Sequence, residues 1–148
     1  MNQKKKSHPF WKFFWLTFLV VSLAYAWYSF YTPENNIEWI SYTSMDETIQ
    51  INSNKPILLF FTGKWCSPCR IMKREVFTDK RVERTINEYF DAVLVDVDNP
   101  DSQSLVKRFK VIATPTIVIL DSKGELLVSM EGKISKTDFL ELLQKNKP

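Results

Sequence analysis

The 148-residue chain holds only two thiols, Cys66 and Cys69, three positions apart. They follow the apolar run Ile57-Leu58-Leu59-Phe60-Phe61 and open a helical pattern in which Cys69, Met72 and Val76 recur on one face. Two thiols so spaced at the start of a helix can close into a disulfide with each other and reopen. A thiol attacks a disulfide sulfur only as the thiolate, and unpaired backbone N–H groups at a helix N-terminus, with the macrodipole, favour that negative sulfur. Cys66 has this position, with Lys64 and Arg70 adding a smaller bias. Cys69, one turn deeper, is shielded and placed to attack a mixed disulfide formed on Cys66. The expectation is an exposed attacker and a buried resolver. Pro68 falls within the first turn, where its missing N–H costs little.

Two blander uses of the pair stay open. A static bridge closing so short a loop removes only about 2 kcal/mol of unfolded-state entropy, and a domain of this size has little need of it. A structural zinc site usually takes four Cys or His ligands, whereas the chain has two cysteines and His8, so that only a dimer sharing two pairs completes the set. Haem attachment calls for His directly after the second cysteine, where Arg70 stands. No metal or other cofactor is expected beyond a redox-active Cys66–Cys69 disulfide.

The elements that must hold the pair follow from composition and pattern. Hydrophobic residues make up 45% and charged residues 25% of the chain, which excludes wholesale disorder. The net charge of +3 misleads: Lys4, Lys5, Lys6 and Lys12 precede any acid, leaving 16 basic and 17 acidic side chains in residues 33–148. No basic cluster gathers there, which argues against a nucleic-acid partner. Phe13 to Pro33 carries no charge and is long enough to span a bilayer. Lysines before it, and Glu34 and Glu38 after it, fit the positive-inside rule, while Trp11, Trp15, Trp27, Tyr28 and Tyr31 suit the two interfacial belts. A cleaved signal peptide ending at Ala24-Tyr25-Ala26 competes, but the apolar run continues past Ala26. The expected organisation is a cytoplasmic basic N-terminus (1–12), a transmembrane signal anchor (13–32) and an exported domain (33–148).

Within that domain, Ile37 to Ser41 reads as a first strand and Met45 to Ile51 as a short helix. Ile57 to Phe61 lacks alternation and so reads as a strand buried on both faces. A second helix is expected to begin at Thr78, with Phe77 and Val82 as a hydrophobic staple. Ala92 to Val97 is a Val-rich strand, parallel to the preceding one after a helical crossover. Asp98-Asn99-Pro100-Asp101 is turn chemistry capping a helix that carries Leu105, Val106 and Phe109 inward. Thr116 to Leu120 and Leu126 to Met130 form an antiparallel hairpin, and Ser135 starts a last helix with Phe139, Leu140, Leu142 and Leu143 as its buried stripe. The fold class is α/β, a central mixed sheet flanked by helices and preceded by a transmembrane helix.

Lys64-Trp65-Cys66-Ser67-Pro68-Cys69 after an apolar strand, with Ala113-Thr114-Pro115-Thr116 before a later one, resembles the thioredoxin superfamily over about residues 37 to 146. The helical insert Arg74-Glu75-Val76-Phe77-Thr78-Asp79 resembles the periplasmic thioredoxin-like domain of bacterial transmembrane thiol transporters and related exported thioredoxins. The resemblance implies a thioredoxin-like fold and a cis peptide before Pro115, facing the disulfide. It also implies Cys66 as nucleophile, Cys69 as resolving thiol, and Trp65, Thr114 and Pro115 as substrate-binding surface, with Thr114 acting through its backbone. Two positions depart from it: Phe60 stands where thioredoxins keep a buried aspartate, and Leu94 where its lysine partner lies. The usual proton acceptor for Cys69 is missing, and Glu75 and Asp96 are the candidate carboxylates in its place.

The function expected is that of a single-pass, inner-membrane thiol-disulfide oxidoreductase with its domain in the bacterial periplasm. Pro68 before the second cysteine, and no His between the two, resembles the reducing thioredoxins. Protein disulfides are then the substrates and a membrane thiol the electron donor. The alternatives are a disulfide oxidase or isomerase, and a redox-inactive thioredoxin-fold binding module for a dedicated partner such as an apocytochrome.

Overall fold

The computed structural model describes residues 9–42 and 54–148. By its contacts the chain divides into two compact units, Met1–Tyr31 and Thr32–Pro148. The first contains one helix, α1 (Pro9–Phe30), whose stretch Phe10–Phe30 has a mean hydropathy of 1.5 and is long and apolar enough to cross a membrane. It starts earlier than the charge-free run suggests and takes in Lys12, because nothing between Pro9 and Phe13 breaks a helix.

The second unit is built on a five-stranded sheet in the order β1 (Ile40–Ser41), β3 (Asp91–Asp96), β2 (Ile57–Thr62), β4 (Thr116–Leu120), β5 (Leu126–Glu131). The first three run parallel, and β4 and β5 each pair antiparallel with their neighbours. Among the described residues five helical elements accompany it: α2 (Ser67–Glu75), α3 (Lys80–Tyr89), a 3-10 turn at Pro100–Ser102, α4 (Gln103–Arg108) and α5 (Lys136–Asn146). The first strand is shorter than the expected Ile37 to Ser41. Its earlier backbone is taken by α3 instead: Glu38 N–H donates to Asn87 Oδ1 at 3.1 Å, and Asn36 N–H to Glu83 Oε1 at 2.9 Å. The helix expected over Met45 to Ile51 lies outside the described residues.

Strand periodicity divides the core in two. Leu58, Phe60, Ala92, Ile117 and Ile119 face a cluster closed by Met72 of α2, Val82 and Ile86 of α3, and Phe139 and Leu143 of α5. Ile57, Leu59, Phe61, Val93, Val95, Val118 and Leu120 face the opposite side, under Leu105 of α4. Every residue of β2 and of β4 is buried, the physical reason for their lack of alternation. The turn between β4 and β5 closes through Gly124, whose φ of 81° suits glycine.

The bend after α2 is made one residue later than expected. Thr78 does not cap α3; its hydroxyl donates back to Arg74 O at 2.7 Å and closes α2. Asp79 is the cap, its Oδ1 accepting from Arg81 N–H at 3.0 Å. Phe77 and Val82 are nonetheless buried, so the staple pair keeps its place in the core. On α5 the inward stripe is narrower than the sequence suggests, with Phe139 and Leu143 buried and Leu140 and Leu142 only partly so.

Candidate active site

β2 delivers the chain to the end of the sheet and α2 carries it back, and the two cysteines occupy the junction. Cys66 is the N-cap of α2, with extended backbone (φ −73°, ψ 99°), and Pro68 lies in the first turn. The two sulfurs are joined in a disulfide that spans a Cα–Cα distance of 5.3 Å. Cys69 N–H donates to Cys66 Sγ at 3.2 Å, so a backbone group otherwise orphaned at the helix start points at that sulfur. Arg70 clasps the loop, donating to Lys64 O at 3.2 Å and to Ser67 Oγ at 3.1 Å.

One expectation requires correction. Cys66 is not an exposed attacker in this state: it and Cys69 are each 1% exposed, and both join the apolar cluster with Met72 and Ile117. Cys66 is packed at the junction of β2 and α2, its sulfur bonded to that of Cys69 and facing the Cys69 N–H.

The peptide between Thr114 and Pro115 is cis. Pro115 comes immediately before Thr116, which pairs with Phe61 near the end of β2, so the proline and the disulfide lie at the same end of the sheet. Pro115 is buried, and its carbonyl accepts from Gly132 N–H at 2.8 Å, which ties it to the end of β5. Thr114 Oγ1 is buried and makes no hydrogen bond. Trp65 is 65% exposed. Trp65 and Thr114 together line a surface groove of about 210 Å³, walled by Val106, Val111 and Ile112. The structure thus gathers Trp65, Cys66, Cys69, Thr114 and Pro115 at one end of the sheet.

Phe60 and Leu94 are in register across β2 and β3, and Phe60 is buried. Of the two candidate carboxylates, Glu75 is half-exposed and 3.6 Å from Arg74, whereas Asp96 ends β3 opposite Thr62, whose hydroxyl is buried without a partner. Lys73 of α2 is half-buried; desolvation lowers its pKa, and attraction to Asp96 opposes that shift. Two residues of the site escaped the sequence reading. Asp98 read only as turn chemistry, yet its Oδ1 accepts the Trp65 indole N–H at 3.0 Å. Gly63 packs against that same indole, and its scarcity was a usable signal, as one of three glycines and next to Lys64-Trp65.

A disulfide held at a helix N-terminus at the end of a buried strand, with a cis-proline at the same end of the sheet, defines a thioredoxin-like thiol-disulfide oxidoreductase domain. The family model described as a thioredoxin-like domain matches residues 44–147, and the chain belongs to that family. Among curated proteins it is similar to the thiol:disulfide interchange protein DsbD of Yersinia pestis, 26% identical over 122 residues, covering 76% of this chain and 20% of that protein. The chain spans about a fifth of the length of the first such relatives it matches. Among solved structures it is similar to a thioredoxin from Thermus thermophilus, with a TM-score of 0.64 and 25% identity over 74% of this chain and 87% of that one. The oxidised C-terminal domain of Neisseria meningitidis DsbD, at 24% identity and TM-score 0.57, covers 70% and 90% of the two chains and shares the fold.

Proposed function

We propose that this chain is an envelope thiol-disulfide oxidoreductase that reduces protein disulfides through Cys66 and Cys69, anchored in the inner membrane by α1 with its N-terminus cytoplasmic. The observation that carries the reading is the Cys66–Cys69 disulfide itself, closed at the N-terminus of α2 with a backbone N–H directed at Cys66 Sγ. The similarity to thiol:disulfide interchange proteins supports the class of reaction, and the long apolar helix supports the location.

In the reduced enzyme the Cys66 thiolate attacks one sulfur of a substrate disulfide, forming a mixed disulfide and releasing the other sulfur as a thiolate. Cys69 then loses its proton and attacks Cys66 Sγ. The Cys66–Cys69 bond forms, the mixed disulfide breaks, and the substrate leaves with both sulfurs reduced. Two electrons have passed to the substrate, and a dithiol donor in the membrane restores the pair. Cys66 is the attacker because the helix end stabilises its sulfur as an anion. Trp65, Thr114 and Pro115 are the surface that receives the polypeptide around the substrate disulfide.

The reduction potential of the pair tests the direction. A value near thioredoxin's, about −270 mV, supports a reductase, and a value near about −120 mV makes the chain an oxidant instead. A Cys69→Ser variant is expected to accumulate mixed disulfides through Cys66. An inert Cys66 that traps no partner would mark a binding module.

A further inference from the structure

Trp65 is the one large apolar side chain of the CxxC loop left 65% exposed, so packing alone does not fix it. Its indole is nevertheless held at its Nε1 edge. Nε1–H donates to Asp98 Oδ1 at 3.0 Å, a hydrogen bond strengthened by the carboxylate charge. Gly63 lies against the same edge, where a Cβ would fall 3.0 Å from Nε1, 3.2 Å from Cε2 and 3.3 Å from Asp98 Oδ2. Gly63 is not among the positive-φ glycines, so what it contributes is space rather than backbone freedom.

Asp98 is itself anchored. Its N–H donates to Asp96 Oδ1 at 3.0 Å, Val97 N–H to Thr62 O at 2.9 Å, and Asn99 N–H to Asp96 O at 3.1 Å. The loop after β3 is thereby fastened to the end of β2, and its carboxylate reaches across to the loop that carries Cys66. Trp65 and Val97, from these two loops, line the same groove as Thr114.

We propose that Asp98 is a positioning residue for substrate: its carboxylate holds the Trp65 indole, the neighbour of Cys66, as a pre-set wall of the groove it shares with Thr114, in space kept open by Gly63. The inference rests on the reading of Cys66–Cys69 as a working pair. A wall already ordered spares an incoming polypeptide the entropy of ordering it, whereas a small disulfide that touches little of the groove gains less. Loss of the carboxylate therefore acts on KM for protein substrates before it acts on kcat.

The test uses the full chain in detergent micelles and three variants, Asp98→Ala, Asp98→Asn and Gly63→Ala. Asp98→Ala and Gly63→Ala are expected to raise KM for insulin reduction roughly tenfold, more than for hydroxyethyl disulfide. Asp98→Asn keeps a carbonyl acceptor and recovers most of the loss. By NMR, the Trp65 indole N–H exchanges slowly with solvent in the wild type and in Asp98→Asn, and fast in Asp98→Ala. A KM within about twofold of wild type in Asp98→Ala overturns the proposal. If the wild type reduces neither substrate, the proposed function has failed, and indole exchange alone then decides the positioning role: equal exchange in all variants overturns it.

Discussion

Phe60 of β2 stands in register with Leu94 of β3, and its ring meets Phe77 edge-on with centroids 4.8 Å apart. Trp39 and Phe139 extend the contact, at 5.3 and 5.7 Å from Phe77, so an aromatic cluster fills the place where thioredoxins carry a buried acid. Phe60→Ala is expected to cost about 3–5 kcal/mol, read as a lower urea midpoint at unchanged slope. A cost below about 1 kcal/mol would mean that the cluster closes over the gap.

The same replacement bears on the second half of the reaction. Neither Phe60 nor Leu94 can accept the Cys69 proton, and Glu75 is half-exposed beside Arg74. Release of the substrate's second thiol is expected to accelerate about tenfold per pH unit through neutrality, as the fraction of Cys69 thiolate rises. Glu75→Gln should leave that profile in place. A stopped-flow rate already flat at neutral pH would contradict this and reveal an acceptor. Asp96 shares the sheet face of Leu94, so Asp96→Asn is the variant that identifies it.

Acid stability is set by two carboxylates on α3. Asp79 is held below its ordinary value of 3.8 chiefly by the hydrogen bond from Lys136 of α5, with Nζ 3.1 Å from Oδ2. Burial pushes Glu83 toward its neutral form, but the Asn36 N–H, the Lys80 ammonium and the Asn36 amide outweigh that and hold it below 4.5. Both groups have folded values below their unfolded ones, so the stability they contribute is complete above the unfolded values and lost as pH falls through the folded ones. The melting temperature should be level above about pH 5 and decline below about pH 4.

Glu83 also pins the chain that leads into β1, accepting from Asn36 N–H at 2.9 Å and from Lys80 at 3.0 Å. Glu83→Gln is expected to lose about 1–3 kcal/mol at neutral pH and to flatten the acid decline. An acid limb identical to wild type by circular dichroism would remove Glu83 from this account.

The anchor reading makes its own demand. With Phe10–Phe30 spanning the bilayer, the chain should stay in the membrane pellet after alkaline carbonate, and its intact mass should retain the residues before Ala26. A mass beginning at Trp27 would mark cleavage.

The cysteine pair, the strand before it, the β4–β5 hairpin and the parallel β2–β3 crossover were legible in the chain because each rests on neighbours in sequence: helical spacing, unbroken apolar runs and turn residues. The resemblance to thioredoxins, aligned on the cysteines, also signalled that Phe60 and Leu94 break the usual acid–lysine pairing. What the sequence could not reveal are contacts between elements that meet only after docking. Trp65 and Asp98 lie 33 positions apart, Asn36 and Glu83 47, and no local pattern links either pair. The cap of α3 moved from Thr78 to Asp79 for the same reason, since Asp79 also answers Lys136 on α5. The burial of Cys66 was likewise a tertiary outcome: helix spacing makes the disulfide possible, but only the packing of α2 on the sheet puts both cysteines in the apolar cluster with Met72 and Ile117.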